Sequence, residues 1–156
     1  MTQRAVDTIL DHAAAGAILR QRFFSEEQAE HIAYIALRMA VTLAKGNKLL
    51  FCGNGGSAAD SQHLAAEFVN RFIMDRPPLP AIALSTDTSI LTAIGNDFGF
   101  DQVFAKQVRA LGNPGDTLVP ISTSGNSANV LLALEAARER SVITLGLTGN
   151  TGGEMA

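Results

Sequence analysis

Short apolar segments that alternate with helical segments constrain the fold of this chain more than any other feature of its sequence. Segments 48–52, 81–85, 117–121 and 142–148 are apolar without a polar residue at every second position. Such strands are typical of a parallel sheet that helices cover on both faces. Because crossovers between parallel strands are right-handed, the pattern predicts a doubly wound α/β domain. Pro120 has no N–H for a sheet hydrogen bond, so we expect it at a sheet edge or near a bulge.

Two helices precede the first strand. Apolar residues recur at helical spacing from about Gln3 to Phe24, and Ser25–Gln28 has the Ser-x-x-Gln form of a capping box. The second helix is expected to end at Gly46, a favoured C-terminal cap. The apolar faces of these helices either cover the chain's own sheet or contact another subunit, and the residues favour neither. The length of 156 residues predicts a single domain over 1–156 that includes the helical pair 1–46.

Composition excludes several classes of protein. The chain has 12 Lys and Arg against 15 Asp and Glu, with no local basic cluster, which argues against direct binding of nucleic acid. The single cysteine, Cys52, excludes an internal disulfide and a zinc cluster built on cysteines, and we interpret it as a core residue. No apolar run reaches the ~20 residues of a membrane span, and the N-terminus lacks the apolar core of a signal peptide. A cytoplasmic protein without membrane partners is therefore expected.

Two similar loops follow the first and third predicted strands, at 53–58 and 122–127, and each precedes a helix. Ligands of doubly wound sheets bind at the carboxyl ends of strands, and helix N-termini favour anions. Glycine lets the backbone approach a ligand closely, and hydroxyl groups contact phosphate oxygens without adding charge. The alternative is that these serines only cap a helix, but four hydroxyls in six residues exceed that need. The phosphate-binding candidates are Ser122, Thr123, Ser124 and Ser127.

The first loop also allows a different interpretation. Gly53, Gly55 and Ala58 fit the loose fingerprint of dinucleotide-binding domains. That class of protein requires an acidic residue about 20 residues further on, to hold a ribose. The nearest candidate at a strand end, Asp87, is about 34 residues past Gly53, and this interpretation leaves the loop 122–127 without a role.

The helix after the first loop carries His63 and Glu67, which lie one turn apart on one face. An imidazole and a carboxylate at this spacing can bind a divalent metal or act as an acid–base pair. The spacing alone is not specific, because Glu27 and His31 share it and are interpreted as a solvated helix surface. We expect the pair to face the same cavity as the hydroxyl loop, within one subunit or across two.

Four segments together, 52–57, 63–67, 95–100 and 121–129, resemble the sugar isomerase (SIS) superfamily, and most closely its phosphoheptose isomerase family. The resemblance implies a homotetramer with the N-terminal helices in the assembly. It also implies a ketose–aldose isomerase that converts sedoheptulose 7-phosphate into D-glycero-D-manno-heptose 7-phosphate through an enediol. That reaction would supply heptose for lipopolysaccharide precursors.

The same resemblance implies roles for individual residues. Ser122, Thr123, Ser124 and Ser127 would hold the phosphate group. The residues that would contact the sugar are Asn54, Gly55, Gly56, Ser57, Asn96 and Asp97. His63 and Glu67 would bind one zinc ion per subunit, and Glu67 would also be the catalytic base. Family members continue with a strand and a helix whose glutamine and histidine complete the zinc site, so the remaining ligands are expected beyond Ala156.

A near relative within the superfamily implies an alternative function. This relative is a replication-initiator-associating protein, which segments 76–84 and 105–112 resemble. The alternative is a non-catalytic SIS-domain adaptor that binds the bacterial DNA-replication initiator. That relative lacks the glutamate of the His-x-x-x-Glu pair, whereas Glu67 is present here, which favours the enzyme.

Overall fold

The two predicted N-terminal helices are present in the structure, a computed structural model that describes residues 3–149 and 151–156. They are α1 (Gln3–Phe23) and α2 (Glu26–Ala44). The Gln28 N–H donates to Ser25 Oγ over 3.3 Å, which is one of the two bonds of the predicted capping box. The chain divides into two compact units, Met1–Arg38 and Met39–Ala156, and the single domain expected over 1–156 stays a prediction.

The second unit contains a parallel sheet, which confirms the predicted doubly wound α/β class. Its strand order is β2-β1-β3-β4, and β5 also pairs with β3. The strands are β1 (Leu49–Gly53), β2 (Ala81–Ala83), β3 (Thr117–Ser122), β4 (Ile143–Thr144) and β5 (Leu147–Thr148). The predicted last strand is thus two short strands, both paired with β3.

Helices cover both faces of this sheet. They are α3 (Gly56–Val69), α4 (Thr88–Phe98), α5 (Ala105–Leu111) and α6 (Ala128–Glu139). One buried cluster joins Leu50 and Cys52 of β1 to α5 and α6, and Leu91 and Ile94 of α4 pack against it. The other joins Leu49 and Phe51 to α3 and to the end of α2. Among the described residues, no helix combines the length and the apolar character of a bilayer span.

Glycine, asparagine and aspartate at 95–99 are typical of a loop and predict one there, but in the structure this segment is largely helical. α4 continues through Phe98 and ends at Gly99, whose φ is 91°. Asp87 starts this helix, because its carboxylate accepts the Ile90 N–H over 2.9 Å. Packing of Leu91 and Ile94 against the core outweighs the cost of about 1 kcal/mol for a glycine inside a helix.

Pro120 lies in an inner strand, so the expectation of an edge position was wrong. It pairs with Cys52 on one side and is fully buried. The Leu145 N–H donates to Leu118 O, so the backbone polar groups of Leu118 face β4 and β5. Because every second residue of a strand faces the same neighbour, the backbone nitrogen of Pro120 faces that side too. The gap between β4 and β5 lies at this point, and no neighbouring strand needs the missing N–H.

The carboxyl ends of β1 and β3 form the switch point of the sheet. From here β1 leads to α3 on one face and β3 leads to α6 on the other. Gly53 and Ile121 are partners at these two ends. Crevices at such points are the binding sites of doubly wound folds.

Replacement of Gly53 with alanine is expected to lower the free energy of unfolding by about 1–3 kcal/mol. A Cβ at Gly53 would lie 2.7 Å from Ser57 Cβ and 2.8 Å from Ile121 O, so β1, α3 and β3 would have to separate. Urea unfolding measures the change. Gly95→Ala is the control, because nothing lies within 4 Å of the added methyl group and the residue is inside a helix. Equal stability of the two variants would contradict this packing.

Candidate functional site

The two predicted loops meet in one cavity at the carboxyl ends of β1 and β3. This hydroxyl cavity has a volume of about 230 Å³. It is lined by Asn54, Ser57, Ile121, Ser122, Thr123, Ser124 and Ser127. Five of these seven residues carry a hydroxyl group, and none carries a charge. All four phosphate-binding candidates are therefore brought together with two of the sugar-contacting candidates.

The hydroxyl groups of this cavity are not used to cap helices. Ser127 stands at the N-cap of α6, yet its side chain makes no capping hydrogen bond. Its Oγ lies 3.0 Å from Oγ of Ser122, which is buried. α3 begins after Gly55, whose φ of 56° favours glycine and which offers no capping side chain. Two helix N-termini thus adjoin a cavity of neutral donors, an arrangement that suits an anion.

A segment near the end of the described chain holds the loop 122–127 in shape. The Met155 N–H donates to Gly125 O over 3.2 Å, and the Glu154 N–H donates to Asn126 Oδ1 over 2.9 Å. A Cβ at Gly125 would lie only 1.7 Å from Gly152 O, so the two backbones touch. Sequence reasoning missed this support, although the glycines near positions 149–153 were a signal of close backbone contact.

His63 and Glu67 form the pair that their spacing predicts. His63 Nε2 lies 3.1 Å from Glu67 Oε1, and the side chains are 74% and 29% exposed. They line a second cavity of about 430 Å³, here called the α3 cavity. Its lining residues are His63, Leu64, Glu67, Phe68, Phe72 and Arg76. Within one chain, the pair and the hydroxyl cavity are therefore separate.

The pair fits two positions of a zinc site. Imidazole nitrogen and carboxylate oxygen are both donors that zinc accepts, and a structural or catalytic site needs three or four protein ligands. Among residues 3–149 and 151–156, no group of three or more His, Cys, Asp or Glu side chains is placed to hold a metal. Further ligands have to come from outside this part of the chain or from another chain.

Arg76 lies beside Glu67 in the α3 cavity, and sequence reasoning missed it. Its guanidinium donates to Glu67 O and to Phe68 O, each over 2.8 Å. These carbonyls belong to the last turn of α3, which has no partners for them within the helix. Arg76 thus stabilises the last turn of α3, which carries Glu67.

Replacement of Arg76 with alanine is expected to fray the last turn of α3. The loss of hydrogen bonds from a charged donor is expected to lower stability by about 1.5–3 kcal/mol. Arg76→Lys should keep only part of this stability, because an ammonium group lacks the planar arrangement of donors that a guanidinium uses to bind two carbonyl groups. Amide hydrogen exchange over residues 66–70 measures the fraying. Arg71→Ala is the control, since Arg71 makes only an exposed ion pair with Asp75. Unchanged exchange in Arg76→Ala would contradict this role.

Four other residues singled out in the sequence do not line the hydroxyl cavity, namely Asn96, Asp97, Asp87 and Cys52. Asn96 and Asp97 are exposed at the end of α4, where Asn96 Nδ2 donates to Asp97 Oδ1 over 2.8 Å. The carboxylate of Asp87 caps α4 by accepting the Ile90 N–H. Burial raises the pKa of Cys52 to about 12, so this thiol stays protonated at neutral pH and is a core residue, as interpreted from the sequence.

Known proteins are similar to this chain in both sequence and fold. Residues 12–149 match the SIS domain family. A phosphoheptose isomerase of Nitratidesulfovibrio vulgaris (strain Miyazaki F) is 67% identical over 100% of this chain and 74% of the relative. Two solved structures are also similar to this chain. A phosphoheptose isomerase from Neisseria gonorrhoeae has a TM-score of 0.89 and 50% identity, and the match covers 97% of this chain and 78% of that one. A phosphoheptose isomerase from Francisella tularensis has a TM-score of 0.87 and 41% identity, and the match covers 99% of this chain and 80% of that one. The chain thus spans about three quarters of the length of these relatives.

Proposed function

Since this chain belongs to the SIS-domain family, and within it to the phosphoheptose isomerases, we propose that it interconverts sedoheptulose 7-phosphate and D-glycero-D-manno-heptose 7-phosphate. The reaction is an aldose–ketose isomerisation in heptose synthesis. It moves a carbonyl group between C2 and C1 with no net gain or loss of electrons.

The hydroxyl cavity is the observation that carries this proposal. Its lining offers several neutral hydrogen-bond donors and adjoins the N-termini of α3 and α6. Phosphate matches such a site, because it accepts many hydrogen bonds and its charge is favoured at helix N-termini. A phosphate held far from the reacting carbons supplies binding energy that orients the sugar.

Glu67 is the proposed base. A carboxylate within hydrogen-bond reach takes the proton from the carbon next to the carbonyl and returns it to the neighbouring carbon. A hydroxyl proton passes at the same time between the oxygens on C1 and C2, so that the carbonyl and the hydroxyl group exchange places. His63 Nε2 lies 3.1 Å from Glu67 Oε1, so one ion in the α3 cavity could contact both groups. Zinc is the proposed cofactor, with His63 and Glu67 among its ligands, and its charge would favour the negative oxygen that develops in the enediolate.

A homotetramer is the proposed assembly, and it offers a way to unite the two cavities. In one chain His63 and Glu67 line a cavity separate from the hydroxyl groups. Phe72, Ile73 and Met74, which follow α3, are each more than 70% exposed. Exposed apolar patches of this kind mark interfaces between proteins. We propose that a second copy packs there with its own hydroxyl cavity facing the His63–Glu67 pair.

Turnover of sedoheptulose 7-phosphate by the full-length protein tests the proposed function. We expect formation of the heptose 7-phosphate, and much poorer turnover of unphosphorylated sedoheptulose at the same concentration, because the hydroxyl cavity then has no anion to hold. Absence of turnover, or equal turnover of the two sugars, would contradict the proposal.

A further inference from the structure

Two asparagine side chains join the loops that form the hydroxyl cavity. Asn54 Nδ2 donates to Asn129 Oδ1 over 2.8 Å, and Asn129 Nδ2 donates back to Asn54 Oδ1 over 2.9 Å. Asn54 follows β1, and Asn129 lies in the first turn of α6, 75 residues further along the chain. Asn129 is only 3% exposed and does not line the cavity, whereas Asn54 does.

We propose that Asn129 is a positioning residue, which sets the orientation of the Asn54 amide for the sugar; this rests on the proposed function. A primary amide offers two N–H donors and an oxygen with two lone pairs. The reciprocal pair uses one donor and one lone pair of Asn54, and the other donor and lone pair remain for a ligand in the cavity. Rotation of the Asn54 amide alone by half a turn would place donor against donor, so the pair holds the plane of the Asn54 amide and couples its rotation to that of Asn129.

The backbone around Asn54 explains why such a partner is needed. Asn54 stands between Gly53 and the Gly55-Gly56 pair, and Gly55 has a positive φ. Glycine neighbours place no side chain against the Asn54 amide, so its orientation has to be fixed by a residue from elsewhere in the chain. Asn129 is held by the helix and lies beside Val130, which is fully buried. The rigid start of α6, which also carries Ser127, thus fixes the sugar-contacting loop relative to the phosphate-binding loop.

A double-mutant cycle in the full-length protein tests this role. Asn129→Leu is expected to raise KM for sedoheptulose 7-phosphate about tenfold and to change kcat by no more than about threefold, because a lost contact to bound sugar weakens ground state and transition state alike. In the Asn54→Ala background the same substitution is expected to leave KM unchanged, since no amide remains to be oriented. An equal rise in both backgrounds, or none in the wild-type background, would overturn the proposal.

Gln107→Leu is the matched control. Gln107 is also a buried amide, and its Nε2 donates to Leu84 O and Val103 O away from the cavity. Its replacement should lower the melting temperature, as Asn129→Leu is also expected to do, but leave KM unchanged. A KM rise as large as that of Asn129→Leu would show a general loss of stability and overturn the positioning role. Asn129→Asp keeps the size of the side chain but loses its donor; it should also raise KM, and it serves if the leucine variant fails to fold.

A readout without turnover separates this proposal from the proposed function. The side-chain amide proton of Asn54 that donates to Asn129 Oδ1 is expected to exchange slowly with water in NMR spectra of the wild-type protein and rapidly in Asn129→Leu. If the wild-type protein does not convert sedoheptulose 7-phosphate, the proposed function fails while this comparison still tests the pair. Equal exchange in the two proteins would overturn the role of Asn129.

Discussion

Replacement of Glu67 with glutamine is expected to lower kcat for sedoheptulose 7-phosphate by about 10²–10⁴-fold, the usual contribution of a positioned base. Glutamine keeps the size of the side chain and one oxygen near His63 Nε2, but it cannot take a proton from carbon. Binding of the phosphate at the hydroxyl cavity should persist, so KM should change far less than kcat. Steady-state kinetics of the full-length variant measure both constants.

Glu27→Gln is the matched control for this substitution. Glu27 and His31 have the same spacing on α2, and both side chains are exposed. The Glu27→Gln substitution should leave kcat and KM unchanged. Because Glu67 is also a proposed zinc ligand, the zinc content of each variant should be measured alongside. A Glu67→Gln protein that retains more than half of the wild-type kcat would remove Glu67 from the proposed chemistry.

Replacement of Asp116 with alanine is expected to have the largest effect on stability, a loss of roughly 3–5 kcal/mol. Asp116 is 1% exposed and precedes β3. Its carboxylate accepts hydrogen bonds from Lys48 Nζ, over 2.6 Å, and from the backbone N–H groups of Lys48 and Asn113. These bonds join the turns that precede β1 and β3, and alanine would leave the donors without their partner. Urea unfolding measures the loss.

Glu139→Gln is the control for Asp116→Ala. Glu139 accepts two hydrogen bonds from Arg109, but the pair is exposed. Exposed ion pairs contribute little because water competes with them. The free energy of unfolding should therefore be nearly unchanged. Equal losses in the two variants would contradict the importance of the buried cluster.

The stability that Asp116 contributes should also depend on pH. Burial by itself raises the pKa of Asp116, but the hydrogen bonds from Lys48, Asn113 and Asn47 outweigh it and hold the pKa below its ordinary value. The unfolded chain therefore takes up the proton first as the pH falls below about 3.9, the ordinary value of aspartate. The contribution is present above that pH and is lost as the pH falls toward the folded-state pKa. Unfolding of the wild-type protein and of Asp116→Ala at pH 6 and pH 3 should show the difference between them shrinking at the lower pH.

The fold class and the hydroxyl cavity could be predicted from the sequence, because both follow from local patterns. Apolar strands without alternation indicate a parallel sheet, and the order of strands and helices places both loops at the same end of it. The helical segment 95–98 was missed because packing of Leu91 and Ile94 outweighs a local loop signal. The place of Pro120 depends on a gap in the neighbouring strands, which no residue near Pro120 encodes.

The parts of the site that could not be predicted depend on contacts between distant segments. Asn129 meets Asn54, and Gly152 meets Gly125, only because the sheet brings their loops together. The spacing of His63 and Glu67 predicted their pairing, but periodicity cannot say which cavity a helix face lines. The adaptor alternative, the zinc ion and the sugar contacts of Asn96 and Asp97 stay predictions.

The direct test is a crystal structure of the full-length Glu67→Gln protein with sedoheptulose 7-phosphate bound. We expect the phosphate to accept hydrogen bonds from Ser122, Ser124 and Ser127, with C1 and C2 of the sugar within reach of a residue-67 side chain, from the same subunit or from a neighbouring one. A phosphate bound elsewhere, or reacting carbons with no residue-67 side chain near them, would contradict the account.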